Sequence, residues 1–370
     1  MISAACPRSA SQWARATAVA LLPLAVGPIR AMAEAGEEDI GRALVQMRPS
    51  IKARLVLIGS PPRTGGRAHS ALMNTPHISF LEFSEDTRQA LARAADLLRQ
   101  AQALVICAGA GMGMDSGLPD FRGDEGFWRA YPALGAARLP FTQVAQPATF
   151  ERDPRLAWGF YGHRLQLYRD TAPHPGFHIL RRWAARLPGG AHIFTSNVDR
   201  QFQKAGFAPG CVEECHGSIH HLQCLHNCRG DIWPADDLAV QVDAERCLWL
   251  GELPRCPHCG GLARPNILMF GDWAWNPERS DRQHTRQQDW LHILQAGGQR
   301  PVIIEIGAGT AVPSVRHFSA RTRQAFARNG ARLIRINPRQ TGVSGPQDVA
   351  LPLGALAALR AIDLWWGESG

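Results

Sequence analysis

The sequence predicts an α/β protein built on a parallel, doubly wound sheet. Three observations carry that expectation. Short apolar runs alternate with stretches of helical spacing. The first run ends in a glycine-rich turn, as strands do in open α/β sheets that bind ligands at their carboxyl ends. Six of the nine cysteines crowd between residues 215 and 259, which suggests a metal-bound element beside the sheet.

Residues 1–33 contain no acid, three arginines (Arg8, Arg15 and Arg30) and an apolar stretch at 16–26. Ala31-Met32-Ala33 has the small residues of a signal-peptidase site, and the same features suit an organelle transit segment or an over-long start. Residues 59–70 read as a linker rich in glycine and proline, and Met73 is an alternative start. Residues 1–72 are therefore taken as an extension, and residues 73–370 as the working domain.

Regular pattern begins at Ser84-Glu85-Asp86-Thr87, a capping residue followed by acids, which starts a helix. Leu91, Ala94, Ala95, Leu97 and Leu98 recur at helical spacing within it. The run Ala103–Ala108 is a short buried strand, with further strands expected at 192–195, 302–306 and 331–336. Helices are expected near 176–187 and 314–328.

Composition narrows the function classes. A chain of 370 residues with 45% hydrophobic and 19% charged residues is globular, not a collagen, a coiled coil or a disordered chain. No apolar run reaches the roughly 18–20 residues of a spanning helix. The net charge is +8, but 38 of the 40 basic residues are arginines spread along the chain. No basic block with interleaved aromatics marks a nucleic-acid groove, so no direct nucleic-acid partner is expected. The odd cysteine count does not suit a secreted disulfide scaffold, and a cytoplasmic location is expected, with organelle targeting through the extension as the alternative. Nothing in the sequence sets the number of subunits.

The first strand runs into Gly109-Ala110-Gly111-Met112-Gly113-Met114-Asp115-Ser116-Gly117. Glycines there let backbone N–H groups approach a phosphate. The continuation Leu118-Pro119-Asp120-Phe121-Arg122 is unlike that of an ordinary dehydrogenase, and no ribose-binding acid follows a second strand. Gly109-Ala110-Gly111 with Ser116 to Arg122 closely resembles the first motif of the sirtuins, the Sir2-type NAD-dependent protein deacylases. Four more segments follow in that family's order. Thr195-Ser196-Asn197-Val198-Asp199 resembles its Thr-Gln-Asn-Ile-Asp motif. His216-Gly217 resembles the catalytic histidine pair. Cys256-Pro257-His258-Cys259, Arg264-Pro265 and Phe270-Gly271-Asp272 resemble its second zinc knuckle and Phe-Gly-Glu loop, and Ile336-Asn337 its late adenosine-side pair. The resemblance covers about residues 84–365.

That resemblance implies a Rossmann-like large domain with a small lobe, made of a helical insertion at about 124–170 and a zinc ribbon at about 218–262. It implies cleavage of an acyl-lysine amide on protein substrates. The acyl oxygen attacks the anomeric carbon of the nicotinamide ribose of NAD, and nicotinamide leaves. A base then activates a ribose hydroxyl, and the products are lysine, nicotinamide and O-acyl-ADP-ribose. A base that titrates near neutrality favours histidine, and His216 matches, with His220 and His221 as neighbours that precede no glycine. Asn197 would hold the ribose side and Asp199 the nicotinamide amide. Asp120, Phe121 and Arg122 would shape the same pocket. Ser196 departs from the family's glutamine. Gly307-Ala308-Gly309 occupies the place of a Gly-Thr-Ser loop, with both hydroxyls absent and Thr310 the nearest replacement.

Cys224-x3-Cys228, 27 intervening residues and Cys256-x2-Cys259 read as a four-cysteine zinc ribbon. Four thiolates leave no open position, so the metal is structural. The three-residue spacer in the first pair leaves His226 or Cys247 open as a substitute ligand. Tyr161 and Arg164 stand three apart, on one face of a helix. A phenol and a guanidinium together bind a carboxylate, and among sirtuins the pair resembles the signature for succinyl- and malonyl-lysine. Packing of an aromatic helix is the alternative. Trp273 and Trp275 differ from the commoner pattern of the substrate-strand loop, which leaves peptide preference open. Two rival functions remain at this stage. One is an NAD hydrolase or ADP-ribosyltransferase using the same pocket, and the other is a non-catalytic sensor of NAD or acyl-lysine.

Overall fold

The computed structural model describes residues 83–119 and 124–367. The extension 1–72, its linker and Met73 lie outside them, as do Asp120, Phe121 and Arg122.

The helix expected after Ser84 is α1 (Glu85–Arg99), and the Ser84 hydroxyl accepts from the Thr87 N–H at 3.3 Å. Its buried stripe, Leu91, Ala94, Ala95 and Leu98, matches the spacing read from the sequence. Strand β1 (Ala103–Ala108) follows and is buried at all six positions, as the central strand of a parallel sheet should be. Leu104, Ile106 and Ala108 join the core on one face of the sheet, with α1, α7 (Pro175–Arg186) and α11 (Ala355–Gly367). Ala103, Val105 and Cys107 join the core on the other, with α9 (Glu278–Ala296) and α10 (Ser314–Ala325). One strand thus alternates between two hydrophobic layers, as its pleat requires.

The remaining strands of the sheet are β2 (Ala191–Thr195), β3 (Val212–Glu214), β9 (Pro301–Ile306), β10 (Arg332–Ile336) and β11 (Val349–Leu351). All pair in parallel, in the order β11-β10-β9-β1-β2-β3. Counted along the chain this is 3-2-1-4-5-6, the order of dinucleotide-binding sheets. The strands expected at 192–195, 302–306 and 331–336 lie within one residue of β2, β9 and β10. The helix expected to reach residue 328 stops at Ala325, where a short 3-10 turn follows, closed by Gly330 at φ 78°.

Two insertions leave the sheet and pack on each other. The first holds α2 (Asp124–Ala130), α3 (Pro132–Ala136), α4 (Phe141–Val144), α5 (Pro147–Arg152) and α6 (Pro154–Asp170). The second holds β4 (Gly217–Cys224), β5 (Ile232–Pro234), β6 (Val242–Asp243), β7 (Leu248–Trp249) and β8 (Ala263–Ile267). They share a core in which Trp158 of α6 donates its indole N–H to the Ala263 carbonyl of β8 at 2.9 Å. Gly159 permits this approach, since a Cβ there would lie 2.1 Å from the Cys247 carbonyl oxygen. Between β2 and the second insertion lies the short helix α8 (Gln201–Lys204). Among the described residues no helix is long and apolar enough to cross a membrane.

Candidate active site

The order 3-2-1-4-5-6 reverses direction between β1 and β9, and ligands of such sheets sit at the carboxyl ends of the strands there. The loops leaving β1 and β9 interlock at that point. Gly109 donates to the Ile306 carbonyl at 2.9 Å, and Gly111 to the Gly307 carbonyl at 3.1 Å. A Cβ on Gly109 would lie 2.7 Å from the Gly307 oxygen, and one on Gly307 only 2.4 Å from the Gly111 carbonyl carbon. Gly307 also has φ of 62°, which a side chain would strain. These two glycines serve backbone-to-backbone contact, which makes a thin floor to the crevice. Asn337 closes the loop from β10 by donating to the Ala308 carbonyl at 2.9 Å, and the Thr310 hydroxyl accepts from Gln340 at 3.2 Å. Beyond the loop, α10 starts without a side-chain cap. Uncapped N–H groups at a helix N-terminus beside a glycine turn suit an anionic diphosphate, so the fold and donor set fit a dinucleotide.

The loop after β2 reaches the same crevice. Thr195 donates its hydroxyl to the Ala108 carbonyl at 2.9 Å and accepts from the Asn197 N–H at 3.0 Å, while Asn197 Nδ2 donates to the Gly109 carbonyl at 3.0 Å. Asn197 is thereby fixed to the first glycine turn. Ser196, the departure from the family pattern, sends its backbone N–H to Ala108 at 3.2 Å. Asp199 is buried and caps α8 by accepting from the Gln201 N–H at 3.0 Å. Burial pushes its carboxyl up to about 6 from an ordinary 3.8.

A raised carboxyl pKa has a defined sign in stability. The folded state prefers the neutral acid, so there is no penalty below the unfolded value of 3.8, and one grows as pH rises through about 6. Two pKa units correspond to about 3 kcal/mol. Asp199→Asn keeps the capping oxygen and removes the charge. It is expected to stabilise the protein by up to about 3 kcal/mol at pH 7 in denaturant unfolding, with the gain gone below pH 4. A loss of stability at pH 7 would contradict this account. A charge that is held at a cost to the fold is a mark of a functional site.

His216 lies between β3 and β4, in a loop held from three sides. Cys215 donates to the Thr195 carbonyl at 2.9 Å, and Leu268 donates to the His216 carbonyl at 3.0 Å. Gly217 has φ of 79°, and a Cβ there would lie 2.1 Å from the Asn266 carbonyl oxygen, so only glycine fits after the histidine. Two residues before it, Glu214 is gripped by the start of α9. Its carboxylate pairs with Arg279, its carbonyl accepts from Ser280 at 2.9 Å, and its N–H donates to Gln283 at 3.0 Å. The His216 ring places Nε2 3.2 Å from the Ser314 hydroxyl in the first turn of α10. Burial holds the imidazole below its usual value, so it is neutral at pH 7 and able to take a proton. His220 and His221 are pushed lower, to about 4 and about 3, by burial and by neighbouring arginines. His220 is also engaged, its Nε2 3.3 Å from the Asp199 carbonyl oxygen.

On α6, Tyr161 and Arg164 are both buried. Tyr161 stacks on Phe150 at 5.6 Å, and burial pushes its phenol up to about 12, so it remains a donor at neutral pH. The Arg164 guanidinium is turned toward Tyr168. It lies over the rings of Phe160, Tyr161 and Tyr168 at 5.2–5.8 Å and donates to the Tyr168 hydroxyl at 2.8 and 3.1 Å. Tyr168 was missed in the sequence, although its spacing of four from Arg164 places the two on one helical face. Ser314 was missed as well, and its signal was the helix start just after the glycine loop. Arg264 and Asp272 form a fully buried bidentate pair at 2.6 and 2.9 Å that anchors the loop after β8.

The four expected cysteines meet in space, with all four Sγ atoms within 4.8 Å of one another. Cys224 and Cys259 lie 3.7 Å apart, and Cys228 and Cys256 3.6 Å. Tetrahedral zinc with bonds of about 2.3 Å requires sulfurs about 3.8 Å apart, so the site fits zinc. The turn at Gly260, φ 68°, closes the second knuckle. Neither His226 nor Cys247 belongs to the cluster. Cys247 is buried in the small-lobe core instead.

Fold and site together define a two-lobed dinucleotide-fold protein with a half-buried histidine beside the crevice and a structural metal ribbon. The chain belongs to the Sir2 family, whose model matches residues 109–298. It is similar to the NAD-dependent protein deacylase of Thermococcus kodakarensis, with 32% identity over 259 residues, 70% of this chain and 89% of that one. It is also similar to NAD-dependent protein deacylase 2 of Pyrobaculum aerophilum, with 28% identity over 255 residues, 69% and 87% of the two chains. A solved Sir2 homologue in complex with NAD has the same fold, with a TM-score of 0.52 and 21% identity over 74% of this chain and 93% of that one.

Proposed function

We propose that this protein is an NAD-dependent protein-lysine deacylase that releases nicotinamide and O-acyl-ADP-ribose. The observation that carries this reading is the placement of the His216 imidazole against the first turn of α10, at the carboxyl edge of a sheet in dinucleotide order. NAD supplies the activated ribose that takes the acyl group as nicotinamide departs. The chain's own residues divide the remaining work. The interlocked glycine loops at 109–111 and 307–309, Asn337 and the uncapped start of α10 hold the dinucleotide. Asn197 and Ser196 would hold the ribose side, and Asp199 would bind the nicotinamide amide. Asp120, Phe121 and Arg122, which lie outside the described residues, are assigned to cofactor binding by their motif alone. His216 takes the proton of the attacking hydroxyl at Nε2, beside the Ser314 hydroxyl. Acylated lysines of proteins are the substrates.

Mass spectrometry of NAD incubated with the protein and a panel of acyl-lysine peptides tests the reading. O-acyl-ADP-ribose and free lysine are expected. Free or protein-bound ADP-ribose as the only product, or no turnover, would replace it with a hydrolase, a transferase or a sensor.

Acyl choice is assigned to Tyr161 and Arg164. A buried guanidinium gains charge-assisted hydrogen bonds from a terminal carboxylate, at roughly 1.5–3 kcal/mol each, and gains none from a methyl group. Arg164→Met is expected to lower kcat/KM for succinyl-lysine by about 10- to 100-fold, with a much smaller loss for acetyl-lysine. Tyr161→Phe is expected to act more weakly in the same direction. Equal losses on both substrates would show that these residues only pack α6.

A further inference from the structure

We infer that the loop after β8 carries a subsite for a cationic side chain of the substrate, a lysine or arginine within about five positions of the acylated lysine. The inference rests on the deacylase reading and adds the sequence context it requires. A cavity of about 400 Å³ lies between the start of α5 and this loop, walled by Pro147, Glu151, Phe270 and Trp273. Trp273 is 99% exposed and Phe270 40%. Exposed aromatic surface of this kind ordinarily sits on a mobile tip, but here the loop is tied down. Arg264 and Asp272 pair beneath it at 2.6 Å, with both side chains fully buried. Asp272 also accepts from the Met269 N–H at 3.2 Å, Gln223 donates to the Ala274 carbonyl at 2.8 Å, and Phe270 donates to the Ala145 carbonyl at 3.0 Å. The backbone that carries the indole is therefore tied down, so binding there costs little ordering of the loop.

The chemistry of the walls selects the occupant. Among the described residues lining the cavity, Glu151 is the only charged one. An aromatic face with a carboxylate across the cavity matches a cation, through cation–π attraction and an ion pair. An acidic side chain would be repelled by Glu151, and an apolar one would strip water from it without replacement. The location ties the cavity to the chemistry. Leu268, whose N–H holds the His216 carbonyl at 3.0 Å, is five residues before Trp273, and five extended residues span at most about 17 Å. A substrate lying along this segment thus presents a flanking residue to Trp273 while its acyl-lysine reaches His216.

The test uses acetyl-lysine peptides carrying Arg, Ala or Glu at each of the five positions on either side, with kcat/KM measured with NAD and affinity measured by calorimetry without it. At one position, Arg is expected to exceed Ala by about 5- to 10-fold and Glu to fall below Ala, as an exposed cation–π contact and an ion pair supply together. Trp273→Ala should bring the Arg-to-Ala ratio near one, and Glu151→Lys should invert the order so that Glu exceeds Arg. Turnover with no position favouring Arg, or an Arg preference that survives both substitutions, would overturn the subsite and leave the deacylase standing. Selective binding of the Arg peptide without turnover of any peptide would uphold the subsite and remove the deacylase.

Discussion

Replacing His216 by alanine is expected to lower deacylation by about 10²- to 10⁴-fold, the usual contribution of a positioned general base. The fold and the affinity for NAD should persist, because the loop is held by backbone bonds from Cys215 and Leu268 and by the grip of α9 on Glu214, none of which uses the ring. Turnover of an acyl-lysine peptide, calorimetric titration with NAD and a thermal melt separate these effects. Near-normal turnover by the variant would remove His216 from the mechanism. The wild-type pH profile carries a second check. Since burial depresses the imidazole from its ordinary 6.5, the acid limb of the profile should fall below that value.

Removing the metal should have the largest effect on stability. Structural zinc in zinc-finger peptides contributes about 10–16 kcal/mol of apparent binding energy at pH 7, comparable with or above the whole stability of a typical domain. The purified protein is expected to hold about one zinc per chain, and chelation or Cys256→Ala should unfold the ribbon and lower the melting temperature sharply. Cys247→Ala removes only a small buried side chain outside the cluster, and should cost about 1–2 kcal/mol. A folded, active sample with no zinc would end this account.

The parts of the fold that sequence reasoning reached are those where one physical signal dominates. β1 is a continuous apolar run and β9 an apolar run broken only by Glu305, both buried throughout, and α1 carries both a cap and a stripe. β3 was not legible because it is three residues long and two of them are Glu213 and Glu214, residue types that strands ordinarily avoid. Their burial is compensated by α9, through His284 with Glu213 and Arg279 with Glu214, and those partners lie 65–71 residues away. The zinc ligands were legible because knuckle spacing is local, and the ambiguity over His226 and Cys247 was settled only by where the chain carries them. Tyr161 and Arg164 were visible as a pair, yet the direction of the guanidinium toward Tyr168 depends on how α6 packs.

β1 and β9 form one ladder in which Ala103 faces Pro301, almost two hundred residues apart in the chain. At a synthesis rate of about 5–20 residues per second, the ribosome delivers β9 roughly 10–40 seconds after β1. Over that interval β1 has an open, wholly apolar edge, which is a template for aggregation. The ribbon is under no such delay, because Cys224 and Cys259 are only 35 residues apart and can capture metal while the sheet is still half made. Zinc supply during translation, together with chaperone cover for that edge, should therefore set the yield of soluble protein.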